Sequence, residues 1–431
     1  MKTISARLQP VKTQHLADLF FFAYMCIPLL ELVFSKILSY AGLMEYGPMI
    51  ALPVAYIPLV LLFAGFMITG KPIRDFIPEF WLLLIAIILW FAVTYLLHPE
   101  YEYWYFRETY GIWDYVLRPS NGLFIYLAIR LINDPDRILN VLRYSGFFMY
   151  LYYGRILLQS LAQGYWTDSS NKGFDIRMSY SLSFGYNVLI FALAFLYAGL
   201  ERRSLIDLGF GGIGVVMILL GGSRGPILDI AIFVLLYMFI KINDRKRKAL
   251  LMTAVAVFGI LFLLTYKYLL MAAAAVIGKF GLSSRFIDMM IEGSVSNDNG
   301  RELIWKTAIG MIKEHPLGYG AMGTRHVIGD IIFVGHPHQI FLEILVDFGV
   351  IFGTLLILWL LLSSARIILS KQTGAWKGIF VIFFARACQL LVSLTYWHSI
   401  GLWAAIAVGV CAYSNRKKGS KISWGKIGLR M

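Results

Sequence analysis

The sequence predicts an all-α fold, a polytopic membrane bundle of about twelve helices, and three observations carry that expectation. Apolar runs long enough to cross a bilayer recur from residue 17 to residue 413. Of 431 residues, 59% are hydrophobic and 15% charged, with a mean hydropathy of +0.71, too little charge to cover a water-soluble protein of this length. Every second connection between runs is basic, which is how Lys and Arg mark the cytoplasmic side of a membrane protein. The net charge of +14 is therefore topological and gives no reason to expect nucleic acid as a partner.

Windows of roughly 20 apolar residues place helices over 17–38, 48–69, 79–97, 119–133, 138–161, 179–199, 205–222, 224–241, 249–272, 338–363, 378–396 and 399–413. The polar, basic stretch 1–16 has no small-residue cleavage site after the first run, so the first helix is expected to be retained. Runs 119–133 and 399–413 are short for a perpendicular span and are expected to be partly re-entrant or to share a hairpin. With the N-terminus inside, the cytoplasmic connections hold Lys2, Arg7 and Lys12, Lys71 and Arg74, Arg130 and Arg137, Arg202 and Arg203, the run 241–248, Arg366, Lys371 and Lys377, and the tail from Arg416. The external side receives 39–47, 98–118, 163–178, the turn 221–226 and the long segment 273–337. The chain thus divides into 1–272 with nine helices, the external segment 273–337, and 338–431 with three helices and a basic tail.

Within the external segment, Asn299-Gly300-Arg301-Glu302 reads as a capping box opening a helix over 300–314. At 100° per residue Ile304, Trp305, Ala308, Met311 and Ile312 share a face, and Glu302 and Lys306 form an i,i+4 pair on the other. Such a helix lies flat on the membrane or the bundle. Pro316, Gly318, Gly320 and Gly323 then break it, predicting a mobile connection toward His336. Cys26, Cys388 and Cys411 fall in or beside apolar stretches and read as structural.

Positive charge that disobeys topology is the useful signal for chemistry, because charge near a bilayer interior is costly. Arg224 sits in the Gly-rich turn 221–226, where flanking glycines let a bulky group approach the backbone. Arg301 falls on the apolar face of the 300–314 helix; Arg177 closes an external loop, and Arg155 lies toward the outer end of the fifth helix. Guanidinium groups grip phosphate bidentately, so several at one membrane face suit a pyrophosphate; the competing view has them snorkel to head groups or pair with Asp229 or Asp298. Lys279, Arg285, Lys306, Lys313 and Arg325 are expected to face water or head groups.

His336-Pro337-His338-Gln339 precedes a strong apolar helix, expected to begin at Pro337 or His338. In its first turn, His338 would be kept neutral by the helix N-terminus and could accept a hydroxyl proton, against the alternative of a satisfied interfacial histidine. His336 and His338 permit a metal on paper, but no other ligand is placed, and none is expected. Glu343 and Asp347 share a helical face turned away from His338 and are expected to pair with Arg386, a proton relay being the competing role. The aromatic cluster over 98–118 reads as an interfacial belt, with a sugar-stacking platform as the lesser alternative.

Residues 299–305, then His315-Pro316-Leu317-Gly318-Tyr319-Gly320, then 338–349 resemble the O-antigen ligase and polymerase superfamily of bacterial membrane glycosyltransferases. Ser223-Arg224-Gly225 is similar to that family's upstream arginine motif, and the likeness covers about 177–353; Phe352 departs where a small residue is usual. The resemblance implies a GT-C-like enzyme of the bacterial inner membrane, free of metal and cofactor. It would join a glycan carried on undecaprenyl pyrophosphate to an acceptor sugar at the external face. It further implies Arg224 and Arg301 on the pyrophosphate, His338 as the base, Arg177 and Arg155 as further binding residues, and membrane lipid and a chain-length regulator protein as partners. The stretch 177–187 is more similar to capsule polymerases than to ligases. Polymerase is thus the expectation, with ligase the near alternative. A transporter or flippase is the distant one, since no half-to-half repeat is visible.

Overall fold

The computed structural model describes residues 15–43, 47–68, 77–107, 110–120, 122–169, 175–178, 181–242, 300–332 and 335–427, with scattered positions between 244 and 279. The helices are α1 His15–Met25, α2 Ile27–Tyr40, α3 Gly47–Ile68, α4 Pro78–Leu97, α5 Gly122–Ile132, α6 Pro135–Gln163, α7 Leu182–Arg202, α8 Leu205–Leu220, α9 Gly225–Lys241, α10 Arg301–Glu314, α11 Gly323–Ile328, α12 Ile340–Leu369, α13 Trp376–Ala387 and α14 Ile400–Ile427. The helix expected over 249–272 is described only at scattered positions, and residues 280–299, with Arg285, Asp298 and Asn299, lie outside the described residues.

The all-α expectation holds apart from one hairpin, β1 Trp166–Ser169 paired antiparallel with β2 Asp175–Met178. Among the described residues three helices are long and apolar enough to cross a membrane, or four if the bent pair α1 and α2 is one span; α8 and parts of α3 and α14 are shorter apolar helices. The expected twelve spans are not matched by that number. The chain forms two compact units, 1–145 together with 301–431, and 146–300.

In the first unit the run expected as one helix over 17–38 bends by 72° between α1 and α2. Pro28, in the first turn of α2, has no N–H to continue α1, and Cys26 takes φ −102°, ψ 11°. The buried residues of α4, Phe80, Ile87, Phe91 and Thr94, recur at 7, 4 and 3 and so line one face, leaving the rest half-buried or exposed. Gly122 at the start of α5 lets α14 approach closely, since a Cβ there would fall 2.1 Å from Trp403.

α12, expected to be continuous, is broken at Gly349, whose φ of 75° and ψ of 173° are not helical. The segment Pro316–Gly320 fills the break. Tyr319 N–H donates to the Val346 carbonyl at 2.8 Å, Gly320 N–H to that of Asp347 at 3.0 Å, and Val350 N–H to that of Pro316 at 2.8 Å. Backbone groups freed by an interrupted membrane helix must find partners inside the protein, and here one loop supplies them. The contact is backbone to backbone: a Cβ on Gly349 would fall 2.4 Å from the Leu317 carbonyl carbon, and one on Gly318 2.5 Å from the Gly349 nitrogen. The connection expected to be mobile is thus a clasp, and α11 follows it.

The helix expected over 378–396 also stops early. α13 ends at Ala387, a 3-10 turn covers Cys388–Leu391, and irregular backbone with Leu394 at φ 69° continues to Ser399. This irregularity places Thr395 and Tyr396 against the acidic residues of α12, as described below. α14 runs through the tail expected beyond residue 413.

In the second unit α7 is buried over most of its length, with Val188, Leu189, Ala192, Leu193, Ala194 and Ala198 fully enclosed. It pairs with α8 through glycines: a Cβ on Gly199 would meet Leu208 at 2.8 Å, and one on Gly211 would meet Leu196 at 2.7 Å. Arg203 turns the chain between them at φ 52°, and the Ser204 hydroxyl accepts from Asp207 N–H at 3.2 Å to cap α8.

Candidate functional site

The site lies in the first unit, where α10, α11 and the approach to α12 meet. α10 presents Arg301 at its first position and buries Ile304, Ala308 and Met311 with Ile328 of α11 and Val346 of α12. The helix therefore lies on protein, and Glu302 and Lys306 form the expected pair at 2.7 Å on its exposed face. Trp305, on the border of that face, donates its indole N–H to the Pro337 carbonyl at 3.0 Å, tying α10 to the segment that carries the histidines.

His338 is not in the first turn of α12. Its φ of 56° is left-handed, and Gln339 is the cap, its side chain accepting from Leu342 N–H at 2.7 Å. A non-glycine residue held there carries a backbone cost of about 1 kcal/mol, so its ring is set by the surrounding structure and not by helix geometry. The expected helix-terminus effect on its charge is replaced by a stronger one. Burial first, then the positive fields of Arg301 and Arg325, pull the His338 pKa down to about 4. Its Nδ1 is buried with no hydrogen-bond partner among the described residues, and its ring lies 4.2 Å from that of buried His336.

Arg325 is the residue the sequence reading missed. Expected to face water, it is 2% exposed. None of its three guanidinium nitrogens has a hydrogen-bond partner among the described residues; instead the group lies 4.6 Å from the Tyr110 ring centroid and 4.7 Å from that of Tyr115. Burial draws its pKa down to about 10. The available signal was the glycine spacing at 318, 320, 323 and 329: a Cβ on Gly320 would meet Thr94 at 2.5 Å and one on Gly329 would meet Trp104 at 2.1 Å, so these glycines mark tight packing around Arg325.

Carboxylates near Arg325 are already engaged. Glu343 accepts from the Thr395 hydroxyl at 2.5 Å and from Tyr396 N–H at 3.4 Å, while Asp347 accepts from Thr324 at 2.5 Å and from the Tyr396 hydroxyl at 2.7 Å. The guanidinium whose field reaches both is that of Arg325, and Arg386, the expected partner, donates to Gln389. Asp114 accepts from Tyr110 N–H at 2.9 Å and has Arg118 at 3.3 Å and His398 Nε2 at 3.2 Å. Burial works to raise its pKa, but His398, Tyr110 N–H and Arg118 together hold it at about 2.

The aromatic segment 98–118 is mostly packing. Tyr101, Trp104, Tyr105 and Tyr115 are buried, and Tyr105 donates to the Phe91 carbonyl at 2.8 Å; Tyr103, Phe106 and Trp113 are the large exposed rings.

Arg224, Arg177 and Arg155 belong to the second unit. Half-buried Arg224 precedes α9, and the bulky groups its flanking glycines admit are the chain's own: a Cβ on Gly225 would fall 1.7 Å from the Tyr186 hydroxyl, and one on Gly221 2.8 Å from Phe184. Arg177 stands exposed on β2 opposite Thr167, 4.6 Å from the Tyr165 ring centroid, and Arg155 is exposed on α6. Structurally, then, Arg301 and Arg325 both act on His338, with Glu343, Asp347 and Asp114 around Arg325.

Residues 209–358 match the family described as O-antigen ligase. The match spans Arg224, Arg301, Arg325 and His338 and ends within α12 beyond the break at Gly349. None of the curated proteins matches the chain.

Proposed function

Starting from a chain of the O-antigen ligase and polymerase superfamily, identified through residues 209–358, we propose that this membrane protein is a polysaccharide polymerase. It transfers a glycan from undecaprenyl pyrophosphate to the sugar of a second lipid-linked repeat unit. His338 takes the proton of the acceptor hydroxyl, and the oxygen attacks the anomeric carbon from the face opposite the leaving group. The bond from that carbon to the pyrophosphate oxygen breaks, its electron pair leaves with the pyrophosphate, and the anomeric configuration inverts. Arg301 and Arg224 carry the charge that develops on the leaving group, so guanidinium groups supply the positive field. Arg177 and Arg155 serve substrate binding.

The observation that carries this reading is the imidazole of His338, held neutral with an unpartnered nitrogen inside the positive field of Arg301. A base with pKa about 4 is weak for a neutral-pH reaction. A bound pyrophosphate offsets the fields of Arg301 and Arg325, which add to burial in depressing it, so arrival of the donor strengthens the base. Polymerase is preferred over ligase on the similarity of 177–187 to capsule polymerases. The reaction would take place at the external face of the bacterial inner membrane, with a chain-length regulator as partner.

The test uses purified protein in detergent with a synthetic undecaprenyl-pyrophosphate repeat unit, in EDTA. A product ladder that both His338→Ala and Arg301→Ala abolish supports polymerisation with these roles. Transfer of one repeat unit to a lipid A core or another acceptor, with no ladder, makes the protein a ligase. Lipid-linked glycan moved across vesicles without bond formation makes it a transporter.

A further inference from the structure

Arg325 poses a problem that the reaction above does not resolve. A guanidinium has five N–H donors, is charged at any physiological pH, and is expensive to bury without acceptors. This one is 2% exposed and its three nitrogens donate to nothing among the described residues. The tyrosine faces of Tyr110 and Tyr115 offset part of the cost, but ring faces do not replace in-plane acceptors. The neighbouring acids are committed elsewhere: Asp114 to Tyr110 N–H, Arg118 and His398, Glu343 and Asp347 to Thr395, Thr324 and Tyr396. The fields at Arg325 are mixed, with Glu343, Tyr110 and Asp114 favouring its charge and Arg107 opposing it, while Arg301 and Arg325 both act on His338. The backbone around Arg325 is fixed as well, with Gly335 so close that a Cβ there would fall 3.1 Å from the Arg325 Cα.

We propose that Arg325 is the buried half of an oxyanion site and receives a phosphate group, which supplies the in-plane acceptors that the protein withholds. Two cationic groups acting on one imidazole call for a ligand with more than one negative charge, which favours a pyrophosphate over the single carboxylate of an acidic sugar. Of the two rings over the guanidinium, Tyr110 is half-buried and Tyr115 buried, so Tyr110 is the more accessible. In naming pyrophosphate as the natural group, the inference rests on the glycosyl-transfer reading; the site itself does not.

The experiment measures binding of inorganic pyrophosphate to the purified full chain in detergent by calorimetry, with phosphate and glucuronate as parallel probes. Parent protein, Arg325→Gln and Arg325→Lys are compared, and the unfolding midpoint of each is recorded without ligand. The parent should bind pyrophosphate more tightly than phosphate or glucuronate, and Arg325→Gln should weaken it by about tenfold or more. Removing an uncompensated buried charge should leave the ligand-free midpoint of Arg325→Gln unchanged or raised, whereas a purely structural arginine would lower it. A lowered midpoint with pyrophosphate binding intact in Arg325→Lys and Arg325→Gln overturns the proposal. So does a parent that binds glucuronate in preference to pyrophosphate, or none of the three. Pyrophosphate binding that depends on Arg325 in a protein inactive in transfer upholds the site and refutes the polymerase reading alone.

Discussion

An ordinary histidine base, with a pKa of about 6.5, is about 97% protonated at pH 5, and a reaction depending on it slows about 30-fold between pH 7.5 and 5. His338 is set differently. Burial, Arg301 and Arg325 bring it to about 4, so about 90% of the free enzyme still carries a neutral imidazole at pH 5 and kcat/KM should fall by only about 10% over the same interval. The quantity to follow is kcat/KM, because it reports the free enzyme before a bound pyrophosphate alters the field. Initial rates of transfer from a synthetic lipid-linked donor, taken from pH 4 to 8 in buffers of constant ionic strength, would locate the acid limb. Arg301→Gln, if it retains measurable activity, should move that limb upward, because one of the positive fields is gone. An acid limb near 6.5 in the parent would refute the reasoning, showing that burial and the charges around His338 do not govern its proton.

The clasp on α12 makes Gly349→Ala costly: φ is 75° and the new Cβ would fall 2.4 Å from Leu317 backbone, so a loss of about 2–4 kcal/mol is expected in denaturation followed by tryptophan fluorescence. Trp305→Phe removes the N–H that holds Pro337 at 3.0 Å; stability should drop by about 1 kcal/mol, and kcat should fall with KM nearly unchanged as His338 loses its placement. In the second unit, Gly225→Ala drives a methyl into the Tyr186 hydroxyl and should destabilise by about 1–3 kcal/mol, with Tyr186→Phe restoring part of the loss in the double variant.

Most helices were legible because their apolar runs exceed anything a soluble core requires, and twelve of the described helices overlap the windows read from sequence. The failures have a common cause. At Cys26–Pro28, at Gly349 and after Ala387 the hydropathy stays high while the backbone leaves the helix, because tertiary partners outbid local preference. Hydropathy windows register side chains, and the Pro316–Gly320 clasp is made by backbone groups. At the site, Arg301 and His338 were legible as charge and chemistry misplaced by topology. Arg325 was not, because its isolation depends on Tyr110 and Tyr115 from a distant segment. The pairing of Glu343 and Asp347 with hydroxyls was hidden for the same reason: Thr395 and Tyr396 were counted inside a helix that stops at Ala387.

The clasp also has an order in time. Pro316–Gly320 precedes α12 in the chain, so the ribosome delivers the plug before the break it seals, and Val346, Asp347 and Val350 can find their backbone partners as the helix emerges. The hydroxyl donors for Glu343 and Asp347 come later, Thr395 and Tyr396 being about fifty residues downstream. Between those two moments of synthesis α12 holds a sealed backbone and two acids short of those donors. A nascent chain arrested before residue 395 would therefore leave that helix poorly settled in the bilayer, a natural point for quality-control proteases to act.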